Sequence, residues 1–167
     1  MTQQNNPNTS AELKDEARQR QLMKKLGDVF SQQIPFHNLI GFEFEEISPE
    51  SCRISFVKKP ELIGNFVQGI LHGGVSATAL DVVGGIMAAA GMLGKNLTAS
   101  EELIARKITK IGTIDLRVDY VRPGRGDAFY AKARLLRSGN KVAVVRMELH
   151  SEDDTLIALG TGTYMTG

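Results

Sequence analysis

The sequence predicts an α+β domain built on an antiparallel sheet, and three observations carry that prediction. The hydrophobic period changes from helical to alternating near residue 40, a long apolar helix follows at about residues 73–91, and the last third alternates again through four strands. Strands and helices do not alternate one for one, which sets this order apart from a parallel sheet with crossover helices. A length of 167 residues suits one domain.

Residues 1–8 are polar and are expected to form a disordered tail. Thr9-Ser10-Ala11-Glu12 has the spacing of a capping box, so a helix is expected over 9–33, with Leu13, Ala17, Leu22, Leu26, Val29 and Phe30 as its docking stripe. Packing is the plain role of such a helix; holding DNA or a protein partner is the other. After "IPFHNLIG", Phe42 and Phe44 flank Glu43, and Cys52, Ile54 and Phe56 alternate with Arg53 and Ser55, giving two strands joined at "SPES". The apolar run "LHGGVSATALDVVGGIMAAAG" is the central helix, expected to begin near Gly73. A polar connection follows, with a short helix expected near Glu101 to Lys107. Ile114, Leu116, Val118 and Tyr120 then alternate with charged residues, a hairpin turns at Gly139-Asn140, and Asp153-Asp154 turns into a last strand. Residues 34–167 are therefore expected to form the domain proper.

Composition limits the partners. Twenty Lys and Arg against nineteen Asp and Glu leave no general attraction to nucleic acid, so an anionic ligand needs a local cluster. Cys52 is the single cysteine, which excludes a disulfide framework within one chain and fits a reducing, cytoplasmic setting. Asp81 interrupts the longest uncharged run, so no membrane span is expected. His37, His72 and His150 are too scattered for a metal motif, and "GTG" near residue 160 lacks the strand and helix context of a dinucleotide fingerprint; neither metal nor cofactor is expected. His150, at a strand end, reads as a surface residue.

The chemistry gathers on the central helix. A lone carboxylate inside an apolar helix is costly unless it has a partner or a task. Asp81 lies two turns beyond Gly74 on the same face, among Ala77, Thr78, Gly84, Gly85 and Ala88, so a slender ligand or another backbone can approach it closely. Glycine inside a helix costs about 1 kcal/mol relative to alanine, which makes Gly84-Gly85 a sign of such an approach. Gly73 and Gly74 open the helix, where unpaired N–H groups and the dipole suit a developing negative charge. The plain structural alternative is a tight helix crossing with Asp81 paired to an arginine.

The run "GILHGGVSATALDVVGG", with "PFHNLIGFEF" before it and "GTIDLRVDYVRPGRGD" and "RSGNKVAVV" after it, resembles the hotdog-fold acyl-CoA thioesterases, in particular the phenylacetyl-CoA thioesterase (PaaI) branch. The similarity spans roughly residues 35–165. It implies a long helix wrapped by a curved antiparallel sheet, an acyl-CoA substrate with a medium- to long-chain or an aryl acyl group, no cofactor, and a homodimer, or dimer of dimers, with active sites between subunits. The backbone N–H of Gly73, helped by His72 or Gly74, would hold the thioester oxyanion. Asp81 would be the general base toward water or, alternatively, a nucleophile, and Thr113 would help position the water. A plain role remains for His72, fixing the loop through a ring hydrogen bond to a backbone carbonyl.

Further substrate contacts follow from the same resemblance. Some relatives carry an asparagine six residues before the histidine, where this chain has Phe66 flanked by Asn65 and Gln68; His37 or Asn38 would supply the polar contact of the "PF" segment. Arg122, Arg125, Arg137 and Lys141, with backbone donors at Ser138 and Gly139, would meet the coenzyme A phosphates, although solvated turn cations are the plain reading. The connection 92–112 is long for this branch and is expected to form a lid or reshape the acyl pocket. A non-catalytic acyl-CoA sensor on the same fold is the alternative function; a hotdog dehydratase would need other motifs.

Overall fold

The computed structural model describes residues 7–167, with side chains from residue 11 onward. The tail expected over 1–8 therefore lies mostly outside the described residues. Helix α1 runs Pro7–Gln32, so it starts two residues before Thr9, with proline in a first-turn position where its missing N–H costs nothing. Only its second half docks. Leu22, Met23 and Leu26 are buried, whereas Leu13 is 58% exposed and Ala17 is also exposed, so the expected stripe is cut short.

"IPFHNLI", just before the change of period, contains a further helix, α2 (Pro35–Ile40), ended by Gly41 at φ 87°. The two expected strands follow as β1 (Glu43–Ile47) and β2 (Ser51–Val57), where Cys52, Ile54 and Phe56 are buried and Arg53 and Ser55 are not. A 3-10 turn at Pro60–Leu62 leads into a small ribbon, β3 (Ile63–Asn65) with β4 (Ile70–Leu71), which periodicity is too short to reveal.

Helix α3 (Gly73–Gly94) begins where expected, and α4 (Glu101–Ile108) occupies the polar connection, with Ser100 accepting from the Leu103 N–H at its start. The remaining strands are β5 (Gly112–Tyr120), β6 (Ala128–Ser138), β7 (Val142–Ser151) and β8 (Leu156–Met165). Six strands form one antiparallel sheet in the order β1-β2-β6-β7-β8-β5, so β1 and β5 are its edges.

The sheet wraps α3: every strand of it contacts that helix, and α1 covers another side. Leu80, Val83, Ile86 and Met87 are fully buried against Ile54, Phe129, Val145, Met147 and Leu149, which is the core. Length and apolarity would let α3 cross a membrane, but 67% of its most apolar window is buried inside this domain. Gly160 and Gly162 lie on the inward face of β8, where a methyl group would meet Met147 and Leu80 or the Tyr164 ring. The "GTG" run thus serves the close approach of β8 to α3.

His150 departs from expectation. It is 8% exposed, stacked on Tyr130 with ring centroids 5.0 Å apart, and its ring nitrogens lie 3.1 Å from the Asp154 carbonyl and from Glu148. The β6–β7 register sets Tyr130 directly opposite it, so two flat rings cover each other and exclude water.

Candidate active site

Three elements converge on Asp81. It is half-buried on α3, and no cation lies within salt-bridge distance of it among the described residues. Its Oδ1 accepts from Thr113 Oγ1 at 2.9 Å, and the Tyr164 hydroxyl lies 3.3 Å from both that oxygen and the Asp81 main-chain carbonyl. Its Oδ2 accepts no bond among the described residues, so one carboxylate oxygen is oriented and the other is open. The arginine pairing that a purely structural acid requires is not there.

Thr113 reaches the acid because β5 is irregular. It pairs with Tyr164 and Asp115 pairs with Thr163, leaving Ile114 as an extra residue in the strand. Leu116 and Val118 keep the inward phase of β5 and pack on the core, and Tyr120, next on that side, runs past it to the start of α3 and is exposed. The bulge takes Ile114 out of the phase, 54% exposed, and turns Thr113 toward Asp81. The alternation read from the sequence holds from Leu116 onward and fails at Ile114.

Tyr164 is the site residue that sequence reasoning missed. It is 1% exposed on β8, and burial, with the neighbouring Asp81 carboxylate, pushes its phenol well above the ordinary range, so it stays a neutral donor. A methyl group at Gly84 would stand 2.1 Å from the Tyr164 oxygen, and one at Gly162 2.8 Å from its ring. The Gly84 signal was real, but what approaches that glycine is a side chain of the same chain. Gly85, half-buried, borders the cavity beside Asp81, where a methyl group would come within 3.9 Å of the Tyr164 ring.

Asp81, Thr113 and Tyr164 border a cavity of about 280 Å³ whose other walls include Val29, Phe30, Ile34, Ile108 and Ile111. His37 also faces it. It is 6% exposed, held by its Nδ1 to the Phe30 carbonyl at 2.8 Å and packed among Phe30, Phe42 and Phe44. Asn38 points elsewhere and is exposed.

The start of α3 is a second centre. His72 caps the helix: its Nδ1 accepts from the Gly74 N–H at 2.9 Å, which removes Gly74 as a free donor. The loop-fixing role for His72 holds, with an amide rather than a carbonyl as the ring's partner. Gly64 permits it, since a methyl group there would come within 2.8 Å of the His72 Cα. The Gly73 N–H has no acceptor among the described residues, while its carbonyl accepts from the Tyr120 hydroxyl at 2.9 Å. A cavity of about 350 Å³ opens here, bordered by Gly73, Ser76, Tyr120 and Arg122.

The remaining candidates divide between the two ends of α3. Arg122 donates to the Leu156 carbonyl at 3.1 Å beside Gly73, and Arg125 donates to Gln68 at 2.9 Å. Asn65 Oδ1 accepts from the Val67 and Gln68 N–H groups, both at 3.1 Å, so it shapes the loop and presents Phe66, 89% exposed. Arg137, Ser138, Gly139 and Lys141 sit on the β6–β7 hairpin, whose Ser138 carbonyl is held by Lys95 just past the other end of α3, roughly 33 Å away along a 22-residue helix. The Gly139 N–H is committed to the Val142 carbonyl at 2.8 Å and is not free for a phosphate. One chain therefore does not gather these cations into a single cluster.

A family model described as the thioesterase superfamily matches residues 68–158, which include α3 with both glycines and Asp81. The chain belongs to the thioesterase superfamily. It is 46% identical over 147 residues to the medium/long-chain acyl-CoA thioesterase YigI of Escherichia coli K12, spanning 88% of this chain and 95% of that one. A crystal structure of a thioesterase-superfamily-related protein from Shewanella oneidensis superposes with a TM-score of 0.87 at 48% identity, covering 89% of this chain and 97% of the other. A thioesterase family protein from Silicibacter pomeroyi, at 22% identity and a TM-score of 0.67 over 85% and 95% of the two chains, shares the hotdog fold. The helix wrapped by an antiparallel sheet is that fold.

Proposed function

We propose that this chain hydrolyses acyl-CoA thioesters, with Asp81 as general base. The observation that carries this reading is the state of Asp81: among the described residues it has no cation within ion-pair distance, two hydroxyls on Oδ1 and no partner on Oδ2, with an apolar cavity alongside. A carboxylate so oriented takes a proton from water through Oδ2 while the water oxygen attacks the thioester carbon. The C–S bond then breaks, the thiolate leaves and regains a proton, and the acyl carboxylate forms. A good leaving group makes a strong acid unnecessary. A positioned base contributes roughly 10² to 10⁴ in rate and a preorganised oxyanion donor roughly 10² to 10³.

The oxyanion donor is the Gly73 N–H of a second copy. Gly73 and Asp81 are eight residues apart, about 12 Å along one helix, too far for both to serve one carbonyl carbon. A homodimer with helices side by side in opposite sense brings one chain's amide to the other's acid. The exposed edge strand β5, with Ile114 54%, Tyr120 57% and the adjoining Val121 50% exposed, supports pairing at that edge. In such a dimer Arg122 and Arg125 accompany the incoming amide and suit the coenzyme A phosphates. Dimers associating in pairs would extend the same assembly.

The acyl group is medium to long, a reading supported by the name of the Escherichia coli relative and by the apolar cavity walls. Balanced charge and a single buried thiol support a cytoplasmic setting. The test is coenzyme A release from a panel of acyl-CoAs, read with a thiol reagent. Asp81→Asn is expected to lower kcat by about 10² or more with the unfolding midpoint nearly unchanged; wild-type turnover in that variant would refute the assignment.

A further inference from the structure

The cavity beside Asp81 draws its polar and apolar parts from different places. Asp81, Thr113 and Tyr164 belong to α3 and the sheet, whereas much of the apolar wall comes from α1 and α4. α1 lies outside the stretch matched by the superfamily model, which begins at residue 68.

Both helices are anchored one turn away from the cavity. Leu22, Met23 and Leu26 seat α1 on the core, and Val29 and Phe30, the next turn, reach the cavity. Ile104 seats α4 at 5% exposure, and Ile108, four residues on, reaches it on the same face. Phe30 is braced by stacking on His37 at 5.8 Å between ring centroids.

The two helices are tied by a single acid. Glu101 on α4 receives Lys25 and Arg18 of α1, each at 2.5 Å, and Arg18 reaches back to the Ala99 carbonyl. Lys25 and Arg18 are seven residues apart, two turns on one face, so one carboxylate spans the α1 surface. The hydrogen bonds from Lys25 and Arg18 lower the Glu101 carboxyl from its ordinary value.

Resting on the thioesterase reading, we propose that Phe30 and Ile108 form the wall that limits acyl-chain length, with the Glu101 clamp fixing the spacing between the helices that carry them. The ligand is the hydrocarbon part of the acyl group, and selectivity is set by the two helices, α1 and α4, that flank α3 at the cavity. Filling or emptying an apolar wall changes which chain fits without touching the reacting atoms, and one methylene of mismatch is worth roughly tenfold or more in kcat/KM.

The experiment compares kcat/KM for a hexadecanoyl and an octanoyl thioester in wild type, Phe30→Ala, Ile108→Ala and Ile108→Phe, with Asp81→Asn alongside. The two truncations are expected to raise the hexadecanoyl-to-octanoyl ratio at least about tenfold, and Ile108→Phe to lower it. Glu101→Gln is expected to move the ratio in the same direction as the truncations. Circular dichroism and the unfolding midpoint establish that each variant is folded; if Phe30→Ala is not, the opposed pair at Ile108 decides. Unchanged ratios in folded variants, with Asp81→Asn inactive, overturn the chain-length proposal and leave the hydrolase standing. Full activity in Asp81→Asn removes the hydrolase reading, and this proposal with it.

Discussion

Asp81 is oriented by two neutral donors rather than by a cation, and that choice matters for a base. An arginine partner would hold the carboxylate more strongly than a hydroxyl does, through two parallel N–H donors, and would compete with water for its open oxygen. Hydroxyls from Thr113 and Tyr164 fix the torsion of the acid and leave its Oδ2 unengaged. Tyr164→Phe keeps the ring that fills the space over Gly84 and Gly162 and removes only the donor. We expect it to fold normally and to lose about tenfold to a hundredfold in kcat, the range of one hydrogen bond to a charged group. Steady-state kinetics with a melting curve would check this, and full kcat in a folded Tyr164→Phe would mean that the hydroxyl does not orient the base. Asp81 was evident in the sequence because a charge in an apolar helix needs a reason; Tyr164, 83 residues away, carries no such local mark.

Among the elements, the first turn of α3 joins stability to the site. His72 satisfies the Gly74 amide, and its own main-chain N–H donates to the Leu62 carbonyl at 2.8 Å, so the cap ties the helix start to the 3-10 turn at Pro60–Leu62. His72→Ala is expected to cost about 1 kcal/mol, and His72→Asn, which keeps an N-cap acceptor, much less. Denaturant unfolding of both would check the order; equal midpoints would exclude a capping role. The β2–β6 pair gives a second, pH-dependent prediction. Burial pushes the Cys52 thiol up to about 12, and burial with the Asp154 bond pushes the Tyr130 phenol up to about 12. Both folded values lie above those of the open chain, near 8.5 and 10. Their contribution to stability is thus fully present below about pH 8 and is lost as pH rises from there toward 12, because the unfolded chain releases these protons first. Unfolding midpoints measured from pH 7 to 11 should fall, and Cys52→Ala should flatten the early part of the fall.

For the whole molecule, the decisive quantity is the roughly 12 Å between Gly73 and Asp81 along α3. It turns a chemical requirement into a requirement for two chains, and it can be tested without diluting the protein. Gly73→Pro removes the N–H at a first-turn position that tolerates proline. His72 already has the extended backbone, φ −66° and ψ 135°, that proline demands of its predecessor. Asp81→Asn and Gly73→Pro homodimers should each be inactive. Mixed after subunit exchange in equal amounts, they should recover about a quarter of wild-type activity, since half the dimers are mixed and each holds one intact site. No recovery despite proven exchange would place the whole site within one chain.

Local signals were enough for the longer elements and their order, the start of α3, the inward residues of β2 and the isolation of Asp81, because each follows from residue spacing along a helix or strand, whereas α2 and the β3–β4 ribbon are too short to show a period. The same reasoning carried "GTIDLRVDY" through as one regular strand and so placed Ile114 inward. Only pairing with β8 shows the bulge that hands that place to Thr113, since a bulge is a mismatch between two strands and leaves no trace in either alone. Tertiary packing also decided that the basic groups part to opposite ends of α3 and that His150 is buried. It decided, too, that α1 and α4, separate in sequence, meet over Glu101 to enclose the cavity beside the acid. Periodicity reports which face of an element is apolar; which elements share a cavity depends on how those faces pack in three dimensions.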